Sequence, residues 1–553
     1  MKLTAIVVQP SALLSCMVFA AAFRRGSAFV SNLAGPISSL TTLGMSSSTA
    51  ATTEVPTWSD LQAQSKNTVV GQALETETAL RQQGKGSAFV QNTLRKFQSP
   101  DADPEITVFR DHAGWCPYCQ KLMLLIEEKQ TPVKIELVPM RSYGDKPRDF
   151  LQKVPNGLLP AMEVKGQIIT ESQVIMELLD KWHPPADGYK PMLPQEEDQP
   201  GWARYDKLAR LERQLFSWWC TLLFRPEGPG GALQKLMGGG GGMSGSMEGF
   251  LDCVRQVDKE LTATQGPWFF GDDKFDGPNM IDFIYVSHVE RILASCAYWK
   301  GLNLRDPKWN LKGLNAWLEA FEKRESYLAF KSDYYTHIKD IPPQYGPGYD
   351  GGFEEDRVAF SNTILGKDGA WSLPLSFDDP VQPLYKGPPL PVCVLESVGI
   401  SPDADGTYES ADPKDMAKAC RLMAAWKLAG NGENISTFAA RGGPKGSQNP
   451  RKTFGAELAD PYADADSNVR PTVDAALRVV CSALLLSSDD GVPTEEQAQL
   501  LRDTVPDSHL VGVLNSFGYL RDRVGVPRDL PLAAARYLRA YLNWGVDVLA
   551  PQR

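Results

Sequence analysis

A Cys-Pro-Tyr-Cys sequence at residues 116–119 lies between a predicted strand and a predicted helix. Ile106–Phe109 is a short apolar run typical of a buried strand, and Lys121–Lys129 carries apolar residues at helical spacing. The sulfur of Cys116 is therefore expected at a helix N-terminus, where unpaired amides and the helix dipole stabilise a thiolate. Cys119 lies one turn further along the same face, where it can attack a mixed disulfide formed on Cys116.

The remaining cysteines are scattered: the 553 residues contain nine, and only Cys116 and Cys119 are close in sequence. This distribution favours free thiols in a reducing compartment over a disulfide-stapled fold. The pair has three interpretations, namely thiol or glutathione chemistry, half of a zinc site, and structural cysteines that share the spacing by coincidence. No second Cys pair or His pair lies at zinc-ligand spacing, which favours the first interpretation.

Strands and helices alternate through residues 105–183. After the first strand and helix, the pattern predicts a strand, a short helix, two short strands and a closing amphipathic helix. These elements cover residues 133–138, 146–153, 160–164, 167–169 and 171–182. The order is that of a thioredoxin-like α/β fold, whose site lies at the C-terminal ends of the strands.

Two further motifs follow the cysteines in the same order along the chain. Leu159-Pro160 precedes a predicted strand, and because cis peptide bonds are nearly confined to X-Pro, Pro160 is the candidate for a cis proline that faces the thiol. The alternative is a plain turn proline. Thr170-Glu171-Ser172 begins the closing helix, where an anion is attracted to the free amides. Taken alone, such residues are usually only a helix cap.

With these motifs in order, the run from Ile106 to Trp182 resembles the N-terminal domain of cysteine-type glutathione transferases. The omega, lambda and dehydroascorbate reductase classes and their plastid relatives are similar. The resemblance implies glutathione as co-substrate, no metal, and Cys116 as the glutathione-facing thiol. Cys119 departs from the single cysteine frequent in those classes and favours thiol–disulfide exchange. For glutathione binding the resemblance implies Leu159 and Pro160 as the backbone clamp, Glu171 and Ser172 as γ-glutamyl anchors, and Val154, Lys146 and Lys153 as further contacts.

The chain beyond residue 200 is predicted to be helical. Four helical segments lie at 201–225, 248–264, 279–298 and 310–330, and Asn279 with Asp282 forms a capping box. They resemble the all-α second domain of glutathione transferases. Five more helical segments, at 412–430, 471–487, 494–505, 508–524 and 531–549, predict an additional all-α C-terminal domain with no counterpart in those enzymes.

These patterns divide the chain into six parts. They are a signal plus transit peptide (1–53), an extension expected to pack on the first domain (54–104), the thioredoxin-like domain (105–183), the all-helical second domain (200–340), a Pro/Gly-rich linker (341–391) and the C-terminal helical domain (392–553). The Gly-rich run at 238–245 is typical of a flexible surface loop.

The first 53 residues have the composition of a targeting segment. An apolar run from Leu3 to Ala22 ends in small residues, and the stretch from Arg24 to Thr53 is rich in Ser and Thr without an acidic residue. This resembles the bipartite plastid signals of algae with complex plastids. Simple secretion is the alternative.

The net charge of −10, with no basic block, gives no support to nucleic acid or anionic lipid as a partner. The mature chain has no run long enough to span a membrane. Expected partners are glutathione and a small-molecule or protein disulfide, and a homodimer is left open.

The leading hypothesis is a glutathione-dependent thioltransferase. Glutathione conjugation to electrophiles and a non-catalytic carrier or assembly role are the alternatives.

Several other residues have mainly structural interpretations. His112 is expected in a solvent-facing loop, although it is close enough in sequence to act on Cys116. Trp218, Trp219 and Phe224 are candidates for an apolar co-substrate pocket or for the core. Arg521, Arg523 and Arg528 are expected to pair with Asp522 and Asp529, or with another domain, rather than to bind an anion.

Overall fold

The computed structural model describes residues 54–97, 103–139, 146–226, 244–271, 275–376, 379, 381–382, 387–446, 458, 463–488 and 491–550. The predicted targeting segment 1–53 and most of the Gly-rich run lie outside the described residues. No helix in the described part of the chain combines the length and the apolar character needed to cross a membrane.

A five-stranded mixed sheet forms the centre of the thioredoxin-like region. Its strands are β1 (Leu94–Arg95), β2 (Ile106–Asp111), β3 (Val133–Val138), β4 (Ala161–Val164) and β5 (Gln167–Ile169), in the order β1-β3-β2-β4-β5. β2 runs parallel to β3 and antiparallel to β4, so that Val108 lies opposite both Ile135 and Met162. The predicted strands are confirmed, and the C-terminal end of central strand β2 leads directly to the Cys-Pro-Tyr-Cys sequence.

The part of the chain that forms the sheet also contains five helices. They are α1 (Trp58–Asn67), α2 (Val69–Gln82), α3 (Pro117–Lys129), α4 (Arg148–Lys153) and α5 (Ser172–Trp182). The apolar residues of α3 that predicted the helix, Leu122, Leu125 and Ile126, are fully buried. The thioredoxin-like fold expected from the alternation of strands and helices is confirmed.

A second set of helices follows the sheet. It comprises α6 (Gln199–Phe224), α7 (Gly245–Thr262), α8 (Met280–Lys300), α9 (Lys312–Glu322), α10 (Glu325–Leu328), α11 (Tyr334–Asp340), α12 (Pro342–Tyr345) and α13 (Glu354–Ile364). The predicted capping box is present: the Asn279 side chain accepts the Ile281 amide at 3.1 Å, and Asp282 accepts the Asn279 amide at 3.0 Å. Two of these helices, α12 and α13, lie inside the segment interpreted as a linker.

A third set of helices occupies the C-terminal part of the chain. It comprises α14 (Val392–Ser397), α15 (Pro413–Gly430), α16 (Gly432–Ala439), α17 (Arg470–Leu486), α18 (Glu495–Thr504), α19 (Leu510–Arg521) and α20 (Leu532–Leu549). The five predicted helices are confirmed. The short helices α14 and α16 were not predicted, because a helix of six to eight residues shows too few turns for its period to be read from the sequence.

The core forms two large apolar clusters. One joins the sheet to the second set of helices, and the other holds the C-terminal helices together with Leu61, Val70 and Leu74. The expectation that residues 54–104 pack on the first domain is therefore wrong for α1 and α2, whose apolar faces lie against the C-terminal helices. It is correct for β1, which pairs with β3.

Candidate active site

Cys116 lies immediately before the first residue of α3. It is the N-cap residue, with extended backbone (φ −72°, ψ 119°), and its carbonyl accepts the Gln120 amide at 2.9 Å. Pro117 occupies the first helical position, where an amide donor would have no partner in the helix. The predicted location of the Cys116 sulfur at a helix N-terminus is confirmed.

The loop between β2 and α3 is held by Asp111, which is fully buried at the end of β2. One carboxylate oxygen, Oδ2, accepts the amides of Trp115 at 2.7 Å and Cys116 at 3.3 Å. These two hydrogen bonds fix the backbone of the cysteine loop. Sequence analysis did not single out Asp111, although a charged Arg110-Asp111 pair that ends an apolar strand was a usable signal.

The two sulfurs and the Asp111 carboxylate form one cluster. The Sγ atoms of Cys116 and Cys119 and a carboxylate oxygen of Asp111 all lie within 4.8 Å of one another. Cys119 is 2% exposed, whereas Cys116 is half-buried. Burial raises the pKa of the Cys119 thiol well above its usual range, and the neighbouring Cys116 raises it further. Burial and the raised pKa therefore disfavour Cys119 as the attacking thiolate.

The same three side chains also offer atoms that could hold one metal ion. Thiolate and carboxylate are suitable ligands for zinc, which usually takes four ligands in structural sites. The Oδ2 atom of Asp111 already accepts two backbone amides. Metal analysis of the purified protein distinguishes a metal site from a dithiol.

Arg110 and Lys146 are cations that interact electrostatically with both thiols. Arg110 is 1% exposed, and its Nη1 donates to the Asp111 carbonyl at 2.6 Å. Burial lowers the pKa of Arg110, and the nearby Asp111, Cys119 and Cys116 oppose that effect. Burial likewise lowers the pKa of Lys146, while Cys116 and Cys119 act in the opposite direction. Both cations can stabilise negative charge that develops on the sulfurs.

The Leu159-Pro160 peptide bond is cis, as predicted. Leu159 lies across from the cysteine, with its carbonyl oxygen 3.8 Å from the Sγ atom of Cys116. Two sequence motifs 43 residues apart are thus brought into contact at the thiol. The backbone of Leu159 is in a position to pair with an extended peptide that reaches the sulfur.

The Thr170-Glu171-Ser172 motif lies at the N-terminus of α5. Glu171 is the N-cap residue, with an exposed side chain and φ of 69°, a conformation that non-glycine residues rarely adopt. Ser172 is the first residue of the helix and is half-buried. The free amides of this helix end are available to an anion.

Lys121 is a cation near both the thiol and the Thr170-Glu171-Ser172 motif, and sequence analysis treated it only as part of a helix. Its side chain is 6% exposed. Burial lowers its pKa to about 8, and the neighbouring Glu212, Cys116 and Glu171 oppose that shift.

Val154 and Lys153, the remaining predicted glutathione contacts, lie in different surroundings. The side chain of Val154 is fully buried in a small cluster with Phe150, and its amide donates to the Phe150 carbonyl at 2.8 Å. The Val154 carbonyl, which already accepts the Gly157 amide at 2.9 Å, is therefore the one group of this residue that can accept a hydrogen bond from a ligand. The Nζ atom of Lys153 lies 3.5 Å from the Glu163 carboxylate on the surface.

Helix α8 supports α3 from behind through buried polar side chains. Arg291, fully buried, donates to the Trp115 carbonyl at 2.5 Å and to the Gln120 side chain at 2.8 Å. The neighbouring Glu290 accepts the other end of the Gln120 amide at 2.9 Å and the His337 ring at 2.7 Å. Burial alone raises the pKa of Glu290, but the His337 hydrogen bond and the Arg291 charge outweigh it and lower the pKa to about 2.

The C-terminal region reaches the cysteine loop directly. The indole Nε1 of Trp115 donates to the Val526 carbonyl at 3.2 Å, and the guanidinium of Arg528 lies 5.0 Å from the centre of the Trp115 ring. The Val526 amide in turn donates to the Thr336 hydroxyl at 3.2 Å, and its carbonyl also accepts the Ser332 hydroxyl. No local sequence signal predicts this contact, because its partners are 411 residues apart.

An aromatic wall lies beside the site. Tyr118, inside the Cys-Pro-Tyr-Cys sequence, packs edge-on to His288 at 5.7 Å, and His288 Nδ1 lies 2.7 Å from the Glu212 carboxylate. Of the predicted aromatic residues, Trp219 is fully buried and donates to Ser295 at 2.9 Å, so it belongs to the core.

The other two predicted aromatic residues are less deeply placed. Trp218 is 38% exposed, and Phe224 stacks on Tyr345 at 5.7 Å.

Two other sequence expectations have clear outcomes. His112 is half-buried rather than solvent-facing, because Gln91 and Arg528 lie against it. Burial lowers the pKa of His112, and the positive charge of Arg528 lowers it further. Arg521 and Arg528 pair with Asp522 and Asp529 as expected, at 2.8 and 2.7 Å. Arg523 instead lies 3.6 Å above the Tyr519 ring.

Residues 115–182 match the model of the glutathione S-transferase N-terminal domain family. This part of the chain is similar to a glutathione S-transferase N-terminal domain. The match covers the cysteine pair, the Leu159-Pro160 turn and the start of α5.

Similar proteins match this chain over segments of different length. The chain is 26% identical over 236 residues to pyrimidodiazepine synthase of Drosophila melanogaster, across 42% of this chain and 83% of that protein. It is 35% identical over 74 residues to the probable glutathione S-transferase DHAR2, chloroplastic, of Oryza sativa subsp. japonica, across 13% of this chain and 26% of that protein. The second match thus spans about a quarter of its relative.

Among solved structures, glutathione transferase Omega 3C from Trametes versicolor is similar with a TM-score of 0.33 and 21% identity. The match covers 42% of this chain and 91% of that chain.

Proposed function

We propose that the protein is a glutathione-dependent thioltransferase that acts through Cys116 on glutathione mixed disulfides or oxidised small molecules. The observation that carries the proposal is the position of the Cys116 sulfur. It lies at the start of α3, 3.8 Å from the Leu159 carbonyl, within the segment that is similar to a glutathione S-transferase N-terminal domain. The nucleophilic sulfur of Cys116 thus lies next to the Leu159 backbone, which can pair with a peptide.

Glutathione binding uses three elements in this proposal. The Leu159 backbone, followed by Pro160, pairs with the cysteinyl backbone of the tripeptide. Glu171 and the hydroxyl and amide of Ser172 hold the γ-glutamyl amino and carboxylate groups at the start of α5. Lys146 and Lys153 are further candidates for the glycyl carboxylate, and Val154 contributes only through its main chain.

The first chemical step is attack by the Cys116 thiolate on the glutathionyl sulfur of a mixed disulfide. The bond between the two substrate sulfurs breaks, the substrate leaves as a thiolate, and Cys116 becomes disulfide-bonded to glutathione. Positioning of the tripeptide lowers the barrier by fixing the two sulfurs in line. Arg110 and Lys146 stabilise the charge that moves between them.

The second step releases oxidised glutathione. A second glutathione thiolate attacks the glutathionyl sulfur on Cys116, forms oxidised glutathione and regenerates the Cys116 thiolate. Cys119 offers a second route, since its sulfur is within 4.8 Å of that of Cys116. In that route Cys119 displaces glutathione and forms a Cys116–Cys119 disulfide, which two further glutathione molecules reduce. The burial of Cys119 favours the first route.

The test is the reduction of a glutathione mixed disulfide by the recombinant protein with glutathione and a glutathione reductase couple. Cys116→Ser is expected to remove activity, and Cys119→Ser to retain most of it. Cys220→Ser is the matched control, because Cys220 is a half-buried thiol outside the site. Full activity in Cys116→Ser contradicts the proposal.

Glutathione conjugation is the second candidate, and the burial of Cys119 favours it. With Cys119 unreactive, the site has one working cysteine and could transfer glutathione to an electrophile. Conjugation predicts turnover of a haloaromatic acceptor that Cys119→Ser leaves unchanged. Disulfide reduction without haloaromatic turnover decides for the thioltransferase.

The domain division and the location are also proposals. We infer a thioredoxin-like domain at 105–183, a helical second domain at 200–340 and a C-terminal helical domain at 392–553. The composition of residues 1–53 and the chloroplastic rice relative support delivery to a plastid. A fluorescent fusion of residues 1–53 is expected to enter plastids; its appearance in the medium would indicate secretion.

A further inference from the structure

A cleft of about 930 Å³ lies beside the loop between β2 and α3, with His112 in its lining. We name it the rear cleft. Its walls come from α1 and α2, from α15 and α16, and from the segment 523–530, with Gln91 and His112 at the side of the sheet. This volume is in the range of small-molecule sites. None of the residues proposed to bind glutathione lines it.

The lining of the rear cleft is cationic in an acidic protein. The whole chain carries a net charge of −10, yet the lining holds five cationic side chains and two acidic ones. The cationic residues are Lys66, Lys427, Arg441, Arg523 and Arg528.

Both acidic residues of the lining are already neutralised. Glu75 lies 3.2 Å from the Lys66 ammonium and also accepts the Trp426 indole at 2.9 Å. Asp529 accepts two nitrogens of Arg528, at 2.9 and 2.7 Å. Neither acidic residue of the lining forms an ion pair with Lys427 or Arg523, so these two side chains contribute excess positive charge.

Two of these cations have no acidic partner among the described residues. The guanidinium of Arg523 lies 3.6 Å from the centre of the Tyr519 ring and donates to the Tyr519 carbonyl, and its Nε is buried without a hydrogen-bond partner. Lys427 is half-buried, and burial lowers its pKa; Asp529 opposes this effect and Arg528 adds to it. A cation held in a partly desolvated cleft gains from an anion that enters it.

Apolar and aromatic side chains line the same space. Trp426 and Phe438 are the aromatic members, and Ile435, Leu520 and Leu538 are aliphatic. The guanidinium of Arg441 lies 5.0 Å from the Phe438 ring, so a cation and an aromatic face are presented together. A flat apolar body can pack on such a surface while its anionic group meets the cations.

We propose that the rear cleft is a second ligand site that binds a small organic anion with a flat apolar body, such as an aromatic carboxylate, sulfonate or phosphate. Its anionic group lies at Lys427 and Arg523, and its apolar part lies against Trp426 and Phe438. The rear cleft is separate from the proposed glutathione site, because the two share no residue. It also assigns a binding role to the C-terminal helices.

The experiment uses the full chain and the fluorescent anion 8-anilinonaphthalene-1-sulfonate, with saturating S-methylglutathione present to occupy the thiol site. One dye molecule is expected to bind per chain, and to bind more weakly at 500 mM than at 50 mM NaCl because salt screens the cations. The uncharged analogue N-phenyl-1-naphthylamine, which lacks the sulfonate, is expected to bind more weakly than the anion.

Substitutions identify the site. Lys427→Gln with Arg523→Gln is expected to weaken the dye about tenfold or more, since two charged contacts are lost. Lys427→Arg, which keeps the charge, retains binding. Lys418→Gln is the matched control, because Lys418 is exposed on the same helix and does not line the cleft.

Unchanged dye affinity in the double variant, or displacement of the dye by S-methylglutathione, overturns the proposal. If the double variant does not fold, hydrogen exchange of the wild-type protein decides. The dye is then expected to slow exchange in residues 426–441 and 523–530, and protection confined to the thiol site overturns the proposal.

Discussion

The indole of Trp115 donates a hydrogen bond to the carbonyl of Val526, 3.2 Å away and 411 residues later in the chain. Trp115 directly precedes the reactive cysteine, and Val526 lies in the loop between α19 and α20. The C-terminal helices therefore contact the cysteine loop itself. The far end of the chain helps to hold the site in place.

Replacing Trp115 by Phe tests this contact. The Phe ring fills most of the same space but loses the N–H donor, while the Val526 carbonyl keeps its hydrogen bond from Ser332. The free energy of unfolding is expected to fall by about 1 kcal/mol, as measured by urea denaturation. Trp309→Phe is the control, because its indole N–H has no partner among the described residues. An equal loss in both variants would show that the hydrogen bond contributes nothing.

Arg539 on α20 forms a buried ion pair with Asp333 at the start of α11. Its Nη1 lies 2.6 Å from the carboxylate, and both side chains are almost completely buried. Arg539→Met is expected to destabilise the fold by about 3 kcal/mol because it leaves a buried charge unpaired. Asp333→Asn in the same chain should recover part of that loss, since the Asn oxygen can still accept the Thr336 amide.

The control for this ion pair is Arg255→Met, which removes an exposed pair with Asp252 at 2.8 Å. Such pairs contribute at most about 1 kcal/mol. A loss at Arg539 no larger than that at Arg255 would contradict the structural role assigned to the buried pair. Urea denaturation of all four proteins at one pH makes the comparison.

The Glu290 carboxylate makes the free energy of unfolding depend on pH. Its pKa is about 2 in the folded protein, below the value of about 4.3 expected when unfolded. The unfolded chain thus takes up the proton first, so the contribution of Glu290 to stability is complete above pH 5 and is lost as the pH falls toward 2. Glu290→Gln should flatten the stability profile in that interval.

The profile is measured by urea denaturation between pH 2 and 7. Glu196→Gln, at an exposed position, is the matched control and should leave the profile unchanged. If Glu290→Gln shows the same acid slope as the wild-type protein, the carboxylate does not carry the charge assigned to it.

Much of the thioredoxin-like region could be predicted from sequence because its signals are local. The alternation in Val133–Val138, the helical spacing in α3 and the Leu159-Pro160 pair each determine structure within a few residues. Their order along the chain was enough to identify the fold. The position of Cys116 at the start of α3 could be predicted because a recognisable strand precedes it and a recognisable helix follows it.

The parts that could not be predicted depend on long-range packing. Arg291 lies in a buried helix, and only the fold shows that it donates to the Trp115 carbonyl. The Arg110-Asp111 pair at the end of β2 was visible in the sequence, but its hydrogen bonds to the cysteine loop appear only in the fold. Helices α1 and α2 lie on the C-terminal core because their apolar faces match helices more than 300 residues away, which no local period reveals.

The central claim is that the Cys116 sulfur forms the covalent bond with glutathione. The most direct measurement is intact-protein and peptide mass spectrometry after a brief reaction of the Cys119→Ser protein with a glutathionylated peptide and no free glutathione. We predict one glutathionyl group, located on Cys116, and its release when glutathione is added. A glutathionyl group on another cysteine, or none at all while disulfide reduction continues, would contradict the account.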